Sequence, residues 1–231
     1  MSQQDADERA RALAARAGAQ GDPAGWFEPL YAAAARGQAQ VPWDRGGPHP
    51  LLVDWAGARR QRVTGLAEAG LADAGQRALV IGSGLGYDAE YLAGLGYQVM
   101  AFDISASATR AARERSPGSP VRYLTADLLA LPASWQGRFD FVLESLTIQA
   151  LPAGLRHEAI ASVTRLVAPG GTLLVIAFAA DAQDEPQPGP PWPLTRADIS
   201  LFAAGGLREV AVEDIRLEGS PRRWRAELRR E

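Results

Sequence analysis

The chain contains no cysteine, so disulfides, thiolate metal sites and a cysteine nucleophile are excluded. Lysine is absent as well, and all 24 basic residues are arginine. Together with the heavy use of alanine, glycine and proline this fits a GC-rich coding bias, and no mechanism is read into it. No apolar run reaches the roughly 18–20 residues that span a bilayer. The longest, Leu173 to Ala180, is strand-sized. The opening MSQQDADERA is acidic and polar, without the basic start and apolar core of a signal peptide. A cytoplasmic location is therefore expected. The net charge of −3 argues against nucleic acid or an anionic membrane as the main partner.

What is present is a chain of 231 residues, 47% hydrophobic and 22% charged, the makeup of one α/β domain over residues 1–231. Residues 1–70 are expected to form a helical cap and 76–231 the α/β core. In the cap, helices are expected at Asp5 to Ala17, Trp26 to Arg36 and Leu51 to Ala69, with the Pro/Gly-rich QVPWDRGGPHP stretch from Gln40 to Pro50 irregular between the last two. From Gln76 the pattern alternates. Strands are expected at Arg77 to Ile81, Tyr97 to Phe102, Val121 to Leu124, Phe139 to Leu143 and Thr172 to Phe178. Helices are expected at Asp88 to Leu95, Ser105 to Arg115 and Gly154 to Val167, and the last strand follows a turn, Ala168-Pro169-Gly170-Gly171. A loop with five prolines, Asp181 to Pro193, precedes a helix at Thr195 to Ala204 and strands at Leu207 to Ile215 and Arg222 to Leu228. Alternation of this kind implies a mostly parallel sheet with helices on both faces.

Ile81-Gly82-Ser83-Gly84-Leu85-Gly86-Tyr87-Asp88 follows a strand and opens a helix. Its glycines let the backbone turn sharply and approach a ligand closely. Asp103 ends the next strand, where an acid can hydrogen-bond the hydroxyls of a ribose. A tight turn with an ordinary helix-start aspartate has the same sequence, and a glycine loop alone is a weak signal. A dinucleotide template fits poorly. Starting at Gly82 it needs a small residue where Tyr87 stands, and starting at Gly84 it lies too far past the strand. Asp88 at the helix start would repel a phosphate that the helix N-terminus otherwise attracts. A nucleoside ligand without pyrophosphate fits better. Asp127, after the third strand, could accept a hydrogen bond from an adenine amino group; capping the next segment would explain it equally.

The run from Arg77 to Phe178 resembles class I methyltransferases that use S-adenosylmethionine (SAM). It carries VIGSGLGYD, AFDIS, TADLL, FDFVLES and VAPGGTLLV in that order. The resemblance implies a Rossmann-like α/β fold with a seven-stranded, mostly parallel sheet whose last strand is antiparallel. It also implies SAM as cofactor and S-adenosylhomocysteine (SAH) as product. The residues it assigns to SAM are Gly82, Ser83, Gly84, Gly86, Asp88, Asp103, Ile104, Asp127, Leu128 and Glu144. No metal is expected.

A second resemblance lies in the cap. Trp26-Phe27-Glu28 with Tyr31, then Gly37, Val41-Pro42-Trp43-Asp44-Arg45-Gly46 and Pro50-Leu51-Leu52 is similar to the thiopurine methyltransferase-like branch. It is more closely similar to the plant halide/thiol enzymes, and Arg222-Arg223-Trp224-Arg225 resembles their C-terminal end. That branch methylates small soft nucleophiles. The resemblance implies that Trp43 walls the methionine end of SAM and Asp44 lies near the sulfonium or amino group. The segment after the fourth strand, Glu144 to Pro152, and the proline-rich loop depart from the plant pattern, so the acceptor's identity is not carried over. The expected partner is a small molecule, first of all a thiol.

Methyl transfer from SAM is an in-line displacement, so the protein mainly aligns the reactants and excludes water. Candidate groups lie at the C-terminal ends of the strands. Glu144, Asp44 and His49 are the candidate catalytic residues, and Trp26, Tyr31 and Trp192 the candidate acceptor-pocket walls. A cap for Glu144, a solvent-facing loop position for His49 and lid anchoring for Trp192 are the bland alternatives. His157, between Arg156 and Glu158, reads as a surface residue. Strand alternation puts Arg223, Arg225 and Glu227 on one face, read as solvated, and Trp224, Ala226 and Leu228 on the other. O- or N-methylation of a metabolite, an NAD-dependent oxidoreductase and a non-catalytic SAM-binding domain are the alternatives.

Overall fold

The computed structural model of the chain describes residues 2–64, 75–184, 189–216 and 218–231. Short apolar runs closed by glycine or an acid form the strands: β1 (Arg77–Ile81), β2 (Gln98–Asp103), β3 (Arg122–Thr125) and β4 (Phe139–Ser145). They are followed by β5 (Val167–Phe178), β6 (Leu207–Ile215) and β7 (Arg223–Arg230). The sheet order is β3-β2-β1-β4-β5-β7-β6, with β7 antiparallel to both neighbours and the pairs from β3 to β5 parallel. This is the seven-stranded Rossmann-like arrangement expected. Register brings Ile81, Phe102 and Glu144 level, so the C-terminal ends of β1, β2 and β4 share one edge. The chain order reverses between β1 and β4, and ligands of open α/β sheets bind outside such a switch point.

The cap is α1 (Gln3–Ala19), α2 (Phe27–Ala35) and α3 (Pro50–Thr64). Residues 65–69 of the third expected helix, and 185–188 of the proline loop, lie outside the described residues. α1 buries Ala6, Ala10, Ala14 and Ala17, a single helical stripe, the last three of them against Trp26 and Leu30. In the core, α4 (Tyr87–Gly94), α5 (Ala106–Arg115), α6 (Ala153–Leu166) and α7 (Arg196–Ala204) connect the strands. One sheet face packs Leu79, Phe102, Val142 and Val175 against Ile160, Val163 and Phe202. The other packs Val80, Ala101, Leu143 and Leu174 against Trp55, Leu92 and Ala112. Each such fully buried large side chain contributes about 2 kcal/mol.

Two features differ from the sequence reading. The stretch Ala168 to Gly171 is part of β5 and not a free turn. Pairing with β4 jumps from Phe139↔Val167 to Phe141↔Thr172, and Gly170 adopts φ +73°, so the extra residues form a bulge. The face of β7 carrying Arg223, Arg225 and Glu227 is half-buried and not solvated. β7 lies between β5 and β6, and packing covers both of its faces. α3 meets the outer one, where Trp55 Nε1 donates to Glu227 at 2.8 Å and Arg225 donates to the Leu51 carbonyl. Trp224, Ala226 and Leu228 are buried on the other face.

Candidate functional site

A cavity of about 470 Å³ opens at the C-terminal ends of β1, β2 and β4, between the sheet edge and the cap. Its floor is the glycine loop. Gly82, Gly84 and Gly86 all have positive φ, at 58°, 51° and 82°. A side chain at Gly84 would put its Cβ 2.8 Å from the Tyr31 hydroxyl, so only glycine fits there without movement. Asp103 ends β2 on the cavity wall. Its Oδ2 accepts from the Gly84 N–H and its Oδ1 from the Ser105 N–H, both at 2.9 Å. Burial pushes its carboxyl up to about 6 despite these bonds. Each oxygen retains a lone pair for a further donor.

The roof is aromatic. Trp26 stacks on Phe27 at 4.0 Å and meets Trp43 edge-on at 5.7 Å, and Trp43 Nε1 donates to the Tyr31 hydroxyl at 2.8 Å. Glu28 ties α2 to the start of α5, accepting from Ser105 Oγ at 2.6 Å, Ser107 N–H at 3.0 Å and Ser107 Oγ at 2.6 Å. The roof is thereby fixed to the segment that follows Asp103. Among the described residues, two buried polar atoms of the lining have no partner, Trp26 Nε1 and Ser83 Oγ. Buried groups of this kind are rarely left unpaired in a working site, and they mark where a ligand would bond.

The third wall carries polar groups of both signs. Arg45 and His49 border the cavity beside Asp88, whose Oδ1 accepts from the His49 N–H at 2.6 Å. Burial raises the Asp88 carboxyl above its ordinary value. Within the imidazole, Nδ1 accepts from the Leu51 N–H at 3.1 Å, which leaves the ring proton on Nε2. Burial, then the charges of Arg45 and Arg223, pushes His49 down to about 3. His49 is therefore a neutral donor rather than a base. Asp44 also borders the cavity; it is exposed, and its Oδ1 accepts from the Gly46 N–H at 3.0 Å.

Of the expected site residues, the structure brings Trp26, Tyr31, Trp43, Asp44, His49, Gly82, Ser83, Gly84, Asp88 and Asp103 to this one cavity. Gly86 lies behind it as the N-cap of α4. Glu144 lies beneath the wall and not on it. It is fully buried, its Oε1 accepts from the N–H groups of Thr147 at 2.8 Å and Ile148 at 2.9 Å, and its Oε2 has no partner among the described residues. Burial pushes it up to about 7. It holds the turn in which Leu146, a lining residue, takes a left-handed φ of 65°. Ile104, Asp127 and Leu128 are not among the lining residues. Asp127 is exposed and accepts from the Leu129 N–H at 2.9 Å, while Leu128 packs into the core. The proline loop presents Pro190 and Pro191 to the cavity in place of Trp192, whose N–H donates to the Gln149 carbonyl at 2.7 Å.

Sequence reasoning passed over Arg45, Leu146, Thr147, Gln149 and Phe178, all of which line the cavity, and Arg223, which abuts it. Arg45 could have been found, because it stands inside the Pro-Trp-Asp-Arg-Gly motif. The others carry no local signal.

A family model described as a methyltransferase domain matches residues 79–175, the segment that builds β1 to β5. Over 197 residues the chain is 26% identical to a probable thiol methyltransferase 2 of Arabidopsis thaliana, covering 82% of this chain and 79% of that protein. The protein solved in a study of the conversion of a disulfide bond into a thioacetal group during echinomycin biosynthesis shares the fold. Its TM-score is 0.68 at 22% identity, over 89% of this chain and 93% of that one. N-methyltransferase NodS of Bradyrhizobium japonicum WM9, solved with SAH, shares it at a TM-score of 0.63 and 20% identity, over 87% and 98% of the two chains. The sheet order gives the chain the class I SAM-dependent methyltransferase fold, and residues 79–175, which carry the glycine cradle, match the methyltransferase-domain family. SAM is its cofactor, and its reaction is methyl transfer to a small molecule. The oxidoreductase alternative is set aside by the same match. Among the described residues, no helix is long and apolar enough to cross a membrane.

Proposed function

We propose that the acceptor is a small thiol, methylated on sulfur. The observation that carries this reading is that, among the described residues, the cofactor leaves no usable base free on a wall of Arg45, His49 and aromatic rings. Of the described groups placed to take a proton near neutrality, His49 has its lone pair engaged, Glu144 is sealed below the wall, and Asp103, Asp88 and Asp44 belong to the cofactor in this reading. An alcohol or an ammonium group would need such a base. A thiol, with a pKa of about 8.5, is already partly ionised at neutral pH, and neighbouring cations increase the thiolate fraction. Arg45 stands on the cavity wall and Arg223 beside it. The likeness to a plant protein named as a probable thiol methyltransferase supports the same choice.

SAM supplies a methyl group already activated on a sulfonium. Under this reading Asp103 accepts the ribose hydroxyls and the loop from Gly82 to Gly86 lets the nucleoside approach the backbone. Asp127 swings to the adenine amino group, and Asp88 and Asp44 face the amino group. The aromatic roof of Trp26, Phe27 and Trp43 excludes water and presents π faces to the sulfonium. The test is turnover with SAM and matched panels of thiols, phenols and amines. Methylation of thiols at ten or more times the rate of the other classes is expected, and turnover confined to oxygen or nitrogen overturns the reading.

A further inference from the structure

Arg222, Arg223 and Arg225 are neighbours at the start of β7 with different fates. Arg222 pairs with Asp181 at 2.9 Å and Asp214 at 2.7 Å, and Arg225 pairs with Glu213 at 2.6 Å. Arg223 has no carboxylate partner among the described residues. Its guanidinium lies 3.6 Å over the ring of Phe178 and donates to the backbone carbonyls of Pro221 at 2.7 Å and Arg222 at 3.5 Å. Both Phe178 and Pro221 line the cavity. Arg45, on the same wall, has no ion pair among the described residues either; the carboxylate that acts on it is Asp88, whose Oδ1 is taken by the His49 N–H.

The guanidinium of Arg45 lies close enough to depress Arg223, and both act on the neutral His49, which offers Nε2–H; Asp88 is the carboxylate that acts on Arg45, and Arg223 has none among the described residues. Desolvation, with the charge of Arg45, brings Arg223 down to about 10, so it remains cationic at neutral pH. Like charges gathered at a half-buried wall are unfavourable unless an anion joins them. The anion would not belong to the nucleoside end. Asp103 is on β2 and Arg223 on β7. Adjacent strands lie about 4.8 Å apart, so β7 stands roughly 14 Å beyond β1, on the side where the acceptor must enter.

We propose that Arg223 and Arg45, with the Nε2–H of His49, form a carboxylate subsite for the acceptor, so that the substrate is a thiol carrying an acid group. The anionic end docks against Phe178 and Arg223 and the sulfur points inward beneath the aromatic roof. The inference rests on the thiol reading for the reacting atom and on the cation cluster for the docking group, and the two can fail separately.

The test compares 3-mercaptopropionate with its methyl ester, which keeps the thiol and removes the charge, at saturating SAM. A kcat/KM at least tenfold higher for the acid is expected. Arg223→Gln should lower the acid's kcat/KM at least tenfold relative to the ester's, and Arg45→Gln, on an exposed loop position, should act in the same direction. Calorimetry of the SAH complex with 3-hydroxypropionate reads the subsite without a thiol, and binding that weakens tenfold or more in Arg223→Gln is expected. Equal handling of acid and ester, or no carboxylate binding by the SAH complex, overturns the subsite and leaves the thiol reading standing. Loss of SAH affinity in Arg223→Gln by the same factor also overturns it, because the arginine would then serve the cofactor's own carboxylate. Arg223-dependent binding of 3-hydroxypropionate without turnover of any thiol supports the subsite and removes the thiol reading.

Discussion

Trp43 donates its indole N–H to the hydroxyl of Tyr31 at 2.8 Å, and that hydroxyl stands directly over Gly84. Cap and glycine loop thus meet at a point with no room for a Cβ. Gly84→Ala faces a left-handed backbone at φ 51°, costing about 1 kcal/mol, and a contact of 2.8 Å with a ring held from behind by Trp43. Calorimetry should show SAM affinity at least tenfold weaker. Adding Tyr31→Phe removes the clashing oxygen and should recover part of the loss. Unchanged affinity in Gly84→Ala would show that the roof does not press on the loop.

Asp103→Ala is expected to weaken SAM binding about a hundredfold, because two hydrogen bonds to a charged acceptor are worth roughly 3 kcal/mol together. The pH dependence follows from burial. Burial pushes the carboxyl up to about 6 in the free chain, and under the proposed reading the ionised form accepts the ribose hydroxyls. SAM affinity should therefore fall as pH drops from 7 through 6, and that slope should be absent in Asp103→Ala. A wild-type affinity flat from pH 7.5 to 5 would remove Asp103 from the ribose.

Glu144 has its folded pKa raised by burial from an ordinary 4.5 to about 7. The folded chain then binds more protons than the unfolded chain between those values. Its contribution to stability is fully present below about 4.5 and is lost as pH rises toward and through 7. Glu144→Gln keeps an acceptor for Thr147 and Ile148 and cannot ionise. Its Tm should match wild type at pH 5 and exceed it at pH 8, by an amount corresponding to roughly 3 kcal/mol at most. A Tm difference independent of pH would mean that Glu144 ionises freely in the folded state.

Much of this architecture was legible because the strands are short apolar runs with clear ends. Arg77–Ile81 appears where it was expected, and the order of motifs after it implied the sheet that is found. The positions that misled share one cause. In β4 five of seven residues are buried, since helices cover both sheet faces, so alternation does not reveal which way Glu144 points. In β7 alternation separated the faces correctly, but the sequence does not show that the strand is interior and that its arginine face is covered too. The role of His49 turned on a hydrogen bond from a backbone group two residues away. Such a bond depends on local dihedral angles rather than on residue pattern.

The cavity is assembled unevenly along the chain. The floor of the cavity comes from one stretch of chain, from Gly82 to Thr147. The opposite wall is drawn from segments far apart in sequence: α1 and the Trp26 to His49 region before the sheet, Phe178, Pro190 and Pro191 after β5, and Pro221 with Arg223 at the entry to the last strand. The acceptor side is thus written mostly outside the segment that carries the glycine loop. A chimaera that keeps residues 26–147 and takes its later segments from a related methyltransferase should shift toward the donor's substrate and keep this chain's affinity for SAM.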